Sequence, residues 1–399
     1  MSKPMRICVI SREYPPETGG GGIGTEAYLK AQVLTRRGHE VHVVSGSRDS
    51  TSRSYRDGLA IIHRIAQPEM AVGGWEESSY WLAYATAAAK KIGELHADVK
   101  FDIMHFPEYA GEGFIYQTDN FANRDCRYVV QLHGPLGMFA KHAGWPPIGS
   151  TSYQIGAFLE RTVMHHADQV LASSHNSARF CAGLYGLPLS RIDVIHSGVD
   201  TNIFRPRSPA EPRSMAPKLL FAGKLSAIKG FDLTIDTVIK LKQRYPDIRL
   251  RLTGRGDDAH INKARTRIAA AKAEQNIEIA GYVPYTELPE HYAWCDVFVG
   301  PSDHEPGPGN IYLEAMACEK PVIACTTGGA PEVVLHEQTG LLVPPQNPEA
   351  LEQAISRLIE DPKLCLRLGQ NGREWVQGNF TIDRFIDKIE GHYRRLVSG

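Results

Sequence analysis

Short apolar runs, each ending in Gly, His or Ser and followed by a segment of helical period, recur along most of the chain. This pattern marks βαβ units, and it restricts the chain to parallel sheets covered by helices. Ile7-Cys8-Val9-Ile10 is apolar without alternation, as a strand covered on both faces requires. After a glycine loop, Ala27, Ala31 and Leu34 return at helical spacing, Gly38 stands where a C′ residue belongs, and Val41 to Val44 reads as the next strand. Val129 to Leu132 and Gln169 to Ala172 repeat the unit.

The series then breaks. Pro206, Pro209, Pro212 and Pro217, with Ser, Ala and Glu between them, can neither bury a face nor keep a regular ladder, so the linker is placed there. A second series follows at Leu219–Ala222, Leu250–Thr253, Ile277–Ala280, Val297–Gly300 and Val322–Cys325. A chain of 399 residues exceeds one ordinary core, so the expectation is α/β with two Rossmann-like, doubly wound parallel-sheet domains facing a cleft. Their functional residues belong at the carboxyl ends of the strands.

Acids and bases nearly cancel, at a formal net charge of −1, which gives no field for nucleic acid or an anionic membrane. The seven cysteines are scattered without a C-x-x-C pair and read as buried thiols of a reducing compartment. The stretch from Met5 meets Arg12 and Glu13 too soon for a secretory segment, and no run reaches bilayer length, so a cytoplasmic protein is expected. No D-x-D and no H-E-x-x-H occurs, so no metal is expected.

Four constellations could carry chemistry. Gly19 to Gly24, with Gly21 and Gly22 central, opens a helix at about Thr25, where unpaired N–H groups favour an anion. A dinucleotide fingerprint needs the glycines directly after the strand and an acid closing the second strand, whereas here Ser11 to Thr18 intervene and the second strand runs into Ser45-Gly46. A surface loop without a ligand is the alternative reading. Gly223-Lys224 and Lys229-Gly230 place two cations on one βα turn, able to neutralise a diphosphate or simply to remain solvated. Ser302 to Asn310 is a Gly/Pro loop leading into an apolar helix, with Asn310 as its expected N-cap. Glu314, among apolar neighbours in that helix, must be paired, either to ribose hydroxyls or to a structural donor. His133-Gly134 closes a strand and is either a structural histidine or a donor to a sugar hydroxyl.

Taken together, Pro15-Pro16, Gly21-Gly22-Ile23-Gly24, Gly38-His39-Glu40-Val41, His133-Gly134 and His196-Ser197-Gly198-Val199-Asp200 form one ordered half of a motif set. Lys229-Gly230, Gly281-Tyr282-Val283, Glu305, Leu313-Glu314-Ala315-Met316-Ala317, Gly328-Gly329-Ala330-Pro331-Glu332 and Gly340-Leu341-Leu342-Val343 form the other. The ordered set resembles the retaining GT-B glycosyltransferases of family 4, also described as glycosyl transferases group 1. The resemblance implies a hexosyltransferase that uses a nucleotide-diphosphate sugar (UDP-, GDP- or ADP-linked) as co-substrate and needs no further cofactor. It implies an acceptor-side domain at 1–207, a nucleotide-sugar domain at 208–380 and a C-terminal helix at 381–399 crossing back.

By the same resemblance, Gly21 and Gly22 approach the donor phosphates, and Lys224 and Lys229 hold the diphosphate with amides from Gly307, Gly309, Asn310 and Ile311. His133 contacts the transferred sugar, Glu305 its hydroxyls and Glu314 the ribose, while Tyr282 and Val283 line the base. His133, Lys229 and Glu305 are thus the expected catalytic residues. Two departures stand out: Lys224 replaces the family's Arg, and eight rather than seven residues separate Glu305 from Glu314. A sugar-nucleotide epimerase and an NAD-dependent oxidoreductase are the alternatives. The acceptor, a sugar, lipid or small molecule, is unnamed by the sequence; Trp75, Trp81 and Trp145 lie in the expected acceptor region, where aromatic packing is the default and peripheral membrane contact is open.

Overall fold

A computed structural model describes residues 3–19, 21–49, 51–68, 77–206 and 216–398. The chain forms two compact units, the first of residues 1–196 and 385–399, the second of 197–384. The division therefore falls eleven residues before the expected 207/208 boundary, and the C-terminal helix changes units at Phe385 rather than at 381. The reason is packing: Val199 and Phe204 are buried in a second-unit cluster, and the Val199 amide donates to the Phe380 carbonyl at 2.9 Å. Residues 207–215 of the linker expected between Pro206 and Pro217, and Trp75, lie outside the described residues.

The first unit contains β1 (Arg6–Ile10), β2 (Glu40–Gly46), β3 (Arg53–Asp57), β4 (Ala60–Ile65), β5 (Ile103–Pro107), β6 (Arg127–Leu132), β7 (Gln169–Ala172) and β8 (Ile192–Val194). They lie in the order β3-β4-β2-β1-β5-β6-β7-β8, parallel throughout except for β3, which pairs antiparallel to β4 at the edge. The order reverses between β1 and β5, so the crevice expected of an open sheet opens at their carboxyl ends.

The second unit contains β9 (Lys218–Ala222), β10 (Arg249–Thr253), β11 (Ile277–Gly281), β12 (Val297–Gly300), β13 (Val322–Cys325) and β14 (Gly340–Val343). Their order, β11-β10-β9-β12-β13-β14, is wholly parallel and reverses between β9 and β12. Leu219 and Phe221 enter one apolar cluster, while Leu220 and Ala222 enter the cluster on the opposite face. A strand buried on both faces has no polar side to show, which is why these runs carry no alternation. No helix among the described residues is long and apolar enough to cross a membrane, and all seven cysteines are buried free thiols.

A pair of stacked histidines lies in the interior of the first sheet. His42 on β2 and His63 on β4 stack with ring centroids 5.1 Å apart, and Nδ1 of His42 lies 2.9 Å from Nε2 of His63. Burial lowers the proton affinity of both, and with His42 beside it His63 falls to about 4. Above pH 6.5 both states of the chain carry neutral imidazole, so the pair has no pH term there. Below it the unfolded chain binds protons that the folded one refuses, and stability falls until His63 titrates near 4. Urea denaturation should lose up to about 2 kcal/mol through His63 between pH 6.5 and 5, at about 1.4 kcal/mol per pH unit, and His63→Gln should remove that portion. An equal pH slope in both proteins would refute the assignment.

Candidate active site

In the second unit, the loops after β9 and β12 flank the reversal of strand order and are joined to each other. The Asp303 amide donates to the Ile228 carbonyl at 2.8 Å, and the Ser302 hydroxyl donates to the same oxygen at 3.3 Å. Gly230, at φ +79°, lies so close to the second loop that a Cβ would stand 2.3 Å from the Pro301 carbonyl oxygen. Only glycine meets both demands. The approach brings Nζ of Lys229 to 2.7 Å from Oε2 of Glu305, a pair whose side chains are 24% and 10% exposed. Burial on that scale strengthens the attraction relative to a surface pair and fixes where the ammonium charge sits.

Glu305 is clamped from its other side. The Gly329 amide donates to its carbonyl at 2.7 Å, and Gly328, at φ +68°, would place a Cβ 2.3 Å from the same oxygen. Gly307, Gly309, Asn310 and Ile311 follow at the start of the helix Asn310–Ala317, whose N-cap is Gly309 at φ +78°. Asn310 is therefore the first helical residue and not the expected cap. A Cβ on Gly309 would stand 2.7 Å from the Tyr312 ring, whose hydroxyl donates 2.7 Å to the Gly300 carbonyl, so glycine takes the cap and the helix starts one residue earlier.

Glu314 lies inside this helix, 6% exposed, and accepts a hydrogen bond of 2.8 Å from the Tyr292 hydroxyl. Burial pushes its carboxyl up to about 7 against the stabilising Tyr292 bond. The structural donor considered from the sequence thus exists, and it engages Oε2. Lys224, two residues beyond β9, is exposed. Tyr282 and Val283 directly follow β11 at the same carboxyl edge of the sheet, with the Arg255 guanidinium 4.0 Å above the Tyr282 ring.

In the first unit the glycine loop meets the helix Gly22–Arg36, one turn earlier than the expected start at Thr25, and Gly21 is its N-cap. A Cβ on Gly22 would meet nothing within 4 Å, and the first-turn amides of a helix have no intrahelical acceptor, which suits them to an anion. The preceding loop is anchored by Arg64, which donates to the Tyr14 carbonyl at 2.9 Å, Thr18 Oγ1 at 3.0 Å and Ser45 Oγ at 3.1 Å. Tyr14 and Tyr55 cover the guanidinium from within 6 Å, and Glu17 supplies its counter-charge at 3.2 Å. This eleven-residue insertion between strand and helix replaces the tight turn of a dinucleotide fold, and β2 ends without an acid, which sets the oxidoreductase alternative aside.

His133, at the end of β6, is held through its main chain: Oε1 of buried Glu108 accepts the amides of His133 and Gly134 at 2.7 and 2.6 Å. Burial pushes Glu108 to about 7 and nearby Glu160 to about 8, the Glu108 charge adding to the latter. Glu160 in turn accepts from Ala110 and Leu136 amides and from the Tyr185 hydroxyl at 2.5 Å. Glu26 and Lys30, one helical turn apart on the glycine-loop helix, are buried behind His133. Sequence reasoning misses these acids and this lysine. The one signal available is a charged i,i+4 pair beside the stripe of Ala27, Ala31 and Leu34. Trp81 is buried against Leu136 and Leu159, edge-on to half-exposed Trp145, and so packs as the default holds.

Among the described residues one group of metal-type donors converges: His96, Asp125 and Cys126. Nδ1 of His96 accepts the Phe101 amide at 3.0 Å, so the neutral ring carries its proton on Nε2, facing Asp125 at 2.6 Å. A metal would need that same nitrogen's lone pair, and burial holds the Cys126 thiol up at about 12. The trio is a hydrogen-bonded structural pair beside a thiol.

Residues 20–203 match the family described as Glycosyltransferase Family 4, and residues 204–375 match Glycosyl transferases group 1. The chain is 31% identical over 407 aligned positions, covering 98% of both chains, to a GDP-mannose-dependent alpha-(1-6)-phosphatidylinositol monomannoside mannosyltransferase of Mycobacterium tuberculosis. A glycogen synthase of the same species is 27% identical, over 94% of this chain and 91% of that one. The fold is shared with sucrose-phosphate synthase of Thermosynechococcus elongatus, at a TM-score of 0.83 and 22% identity over 99% of each chain.

Proposed function

This chain belongs to the group 1 glycosyl transferases, with a family 4 N-terminal half and the GT-B fold, and from that premise we propose that it transfers a hexosyl unit from a nucleotide-diphosphate sugar, retaining the anomeric configuration. The observation that carries the reading is the Lys229–Glu305 contact at the reversal of the second sheet, beside the helix start at Asn310. An ammonium held there is oriented before any donor arrives, so little reorganisation is left for the moment of bond breaking. The GDP-mannose dependence of the mannosyltransferase relative supports a nucleotide-diphosphate sugar as donor.

In the proposed reaction the anomeric carbon parts from the phosphate oxygen, and the acceptor oxygen bonds to that carbon on the same face. The electron pair of the broken bond stays on the diphosphate, which also takes the acceptor proton. Lys224, Lys229 and the amides of Gly307, Gly309, Asn310 and Ile311 bind the leaving group more tightly as its charge grows, and that difference lowers the barrier. Within the second unit we assign Glu305 to the sugar, Glu314 to the ribose and the main chain of Tyr282 and Val283 to the base; within the first, His133 is assigned to a sugar hydroxyl and the Gly21 and Gly22 amides to an anion. The acceptor is a hydroxyl-bearing sugar, lipid or small molecule. An epimerase would need no acceptor, so release of nucleoside diphosphate only when acceptor is present separates the two.

Lys229→Ala should lower kcat/KM about 10²–10³-fold, on the scale of removing one oxyanion donor; an unchanged value would falsify its role. Glu314→Gln keeps an acceptor for Tyr292, so the melting temperature should hold while calorimetry shows donor Kd raised about tenfold or more, the scale of one hydrogen bond to a charged group. An unaltered Kd counts against the ribose contact. Because lysines and amides carry the diphosphate charge, activity should persist in excess chelator, and a strict Mg²⁺ requirement would contradict that account.

A further inference from the structure

We propose that the buried carboxylate of Glu26 is the positioning group for His133, holding the ring in its Nδ1–H form so that Nε2 presents a lone pair to a sugar hydroxyl. The inference rests on the reading of His133 as a sugar contact, and it reverses the sense expected from the sequence, since Nε2 then accepts from the hydroxyl instead of donating to it.

The geometry is a chain of four contacts in the dry interior of the first unit. Oε2 of Glu26 lies 3.9 Å from Nδ1 of His133, with the two side chains 5% and 13% exposed. Oε1 of Glu26 lies 3.4 Å from Nζ of Lys30, whose side chain is 2% exposed. Nζ of Lys30 lies 2.8 Å from Nε2 of His105, and Nδ1 of His105 lies 2.6 Å from the Tyr393 hydroxyl on the helix Ile382–Ser398. An ammonium is donor only, so Nε2 of His105 must accept from it, and the proton of that ring sits on Nδ1 toward Tyr393. His105 is thereby neutral and gives Lys30 no counter-charge. That task falls to the Glu26 carboxylate at 3.4 Å, since burial lowers the proton affinity of Lys30 and Glu26 raises it.

An anion on the Nδ1 side of His133 selects the tautomer with the proton there, the same logic by which a buried acid orients a catalytic imidazole. At 3.9 Å the contact is coulombic, and closure of about 1 Å on ligand binding would make it a hydrogen bond. Among the described residues the charged and titratable groups facing His133 are Glu26 and Lys30 from the glycine-loop helix, His105 from β5 with Tyr393 behind it, and Glu108, which takes the His133 amide. Burial and Lys30 lower the proton affinity of His133 while Glu26 raises it, so the neutral ring prevails at neutral pH.

Nitrogen-15 NMR of the histidine-labelled full chain, with His133 assigned by comparison with His133→Gln, reads the tautomer without disturbing the network. A protonated Nδ1 and unprotonated Nε2 at neutral pH support the proposal; the reverse tautomer overturns it. The acid limb of the kcat/KM profile gives the second readout. Glu26→Gln should move that limb to lower pH and reduce kcat about 10–100-fold, by analogy with losing the carboxylate that orients a metal-ligating histidine. Glu26→Asp should recover part of the rate, and Lys30→Met should move the limb to higher pH. Shifts in the same direction, or none, overturn the proposal, because a merely structural disturbance has no reason to act with opposite signs. Full activity in His133→Ala would instead sink the sugar-contact reading on which this rests, and leave the NMR result standing.

Discussion

A parallel sheet whose strand order reverses leaves a crevice at the reversal, because the connections on the two sides depart to opposite faces. In the second unit that place lies between β9 and β12, and the polypeptide fills its floor with two loops that cannot approach without glycine. The contact of Lys229 with Glu305 depends on that approach. So does the position of the helix start at Asn310, since the loop leading to it is pressed between Gly230 and Gly328. A cation, a carboxylate and a helix start thus share one location because backbone packing leaves them no other.

The first unit solves a different problem at its own reversal, between β1 and β5. There the loops carry acids into the interior: Glu108 takes the amides of the His133 turn, and Glu112 accepts the Arg12 amide at 2.8 Å. Each is buried, and each is raised to about 7. Charge in so dry a place persists only where amides or cations meet it. The cost is offset by rigidity, since a carboxylate holding two consecutive amides fixes the turn from which His133 projects.

Much of the architecture can be read from the residues. The strands at Gln169–Ala172, Val297–Gly300 and Val322–Cys325 coincide with the apolar runs, because a strand covered on both faces has a composition that nothing else in a soluble chain needs. The antiparallel edge β3, Arg53–Asp57, lacks that signature and is visible only in the fold. The site residues at strand ends are legible as well, through glycine, lysine and glutamate standing in loops after apolar runs. The partners behind them are not. Tyr292 approaches Glu314 from 22 positions away, and Tyr393 reaches His105 across 288. Separations of that kind leave no local pattern.

The unit boundary shows the same division of labour. Proline content marks where a chain cannot form a ladder, yet Val199 and Phe204 join the second unit because its apolar cluster has room for them. By itself the amino-acid order determined the class of fold, the two series of βαβ units and the ordered motifs of a glycosyltransferase, since periodicity and turn chemistry act between near neighbours. Only the tertiary structure decided which charges meet in the interior, that Lys229 is held by Glu305, and that a glutamate and a lysine stand behind His133. Those pairings are set by desolvation, which depends on what the whole fold places around a group and on nothing adjacent to it in the chain.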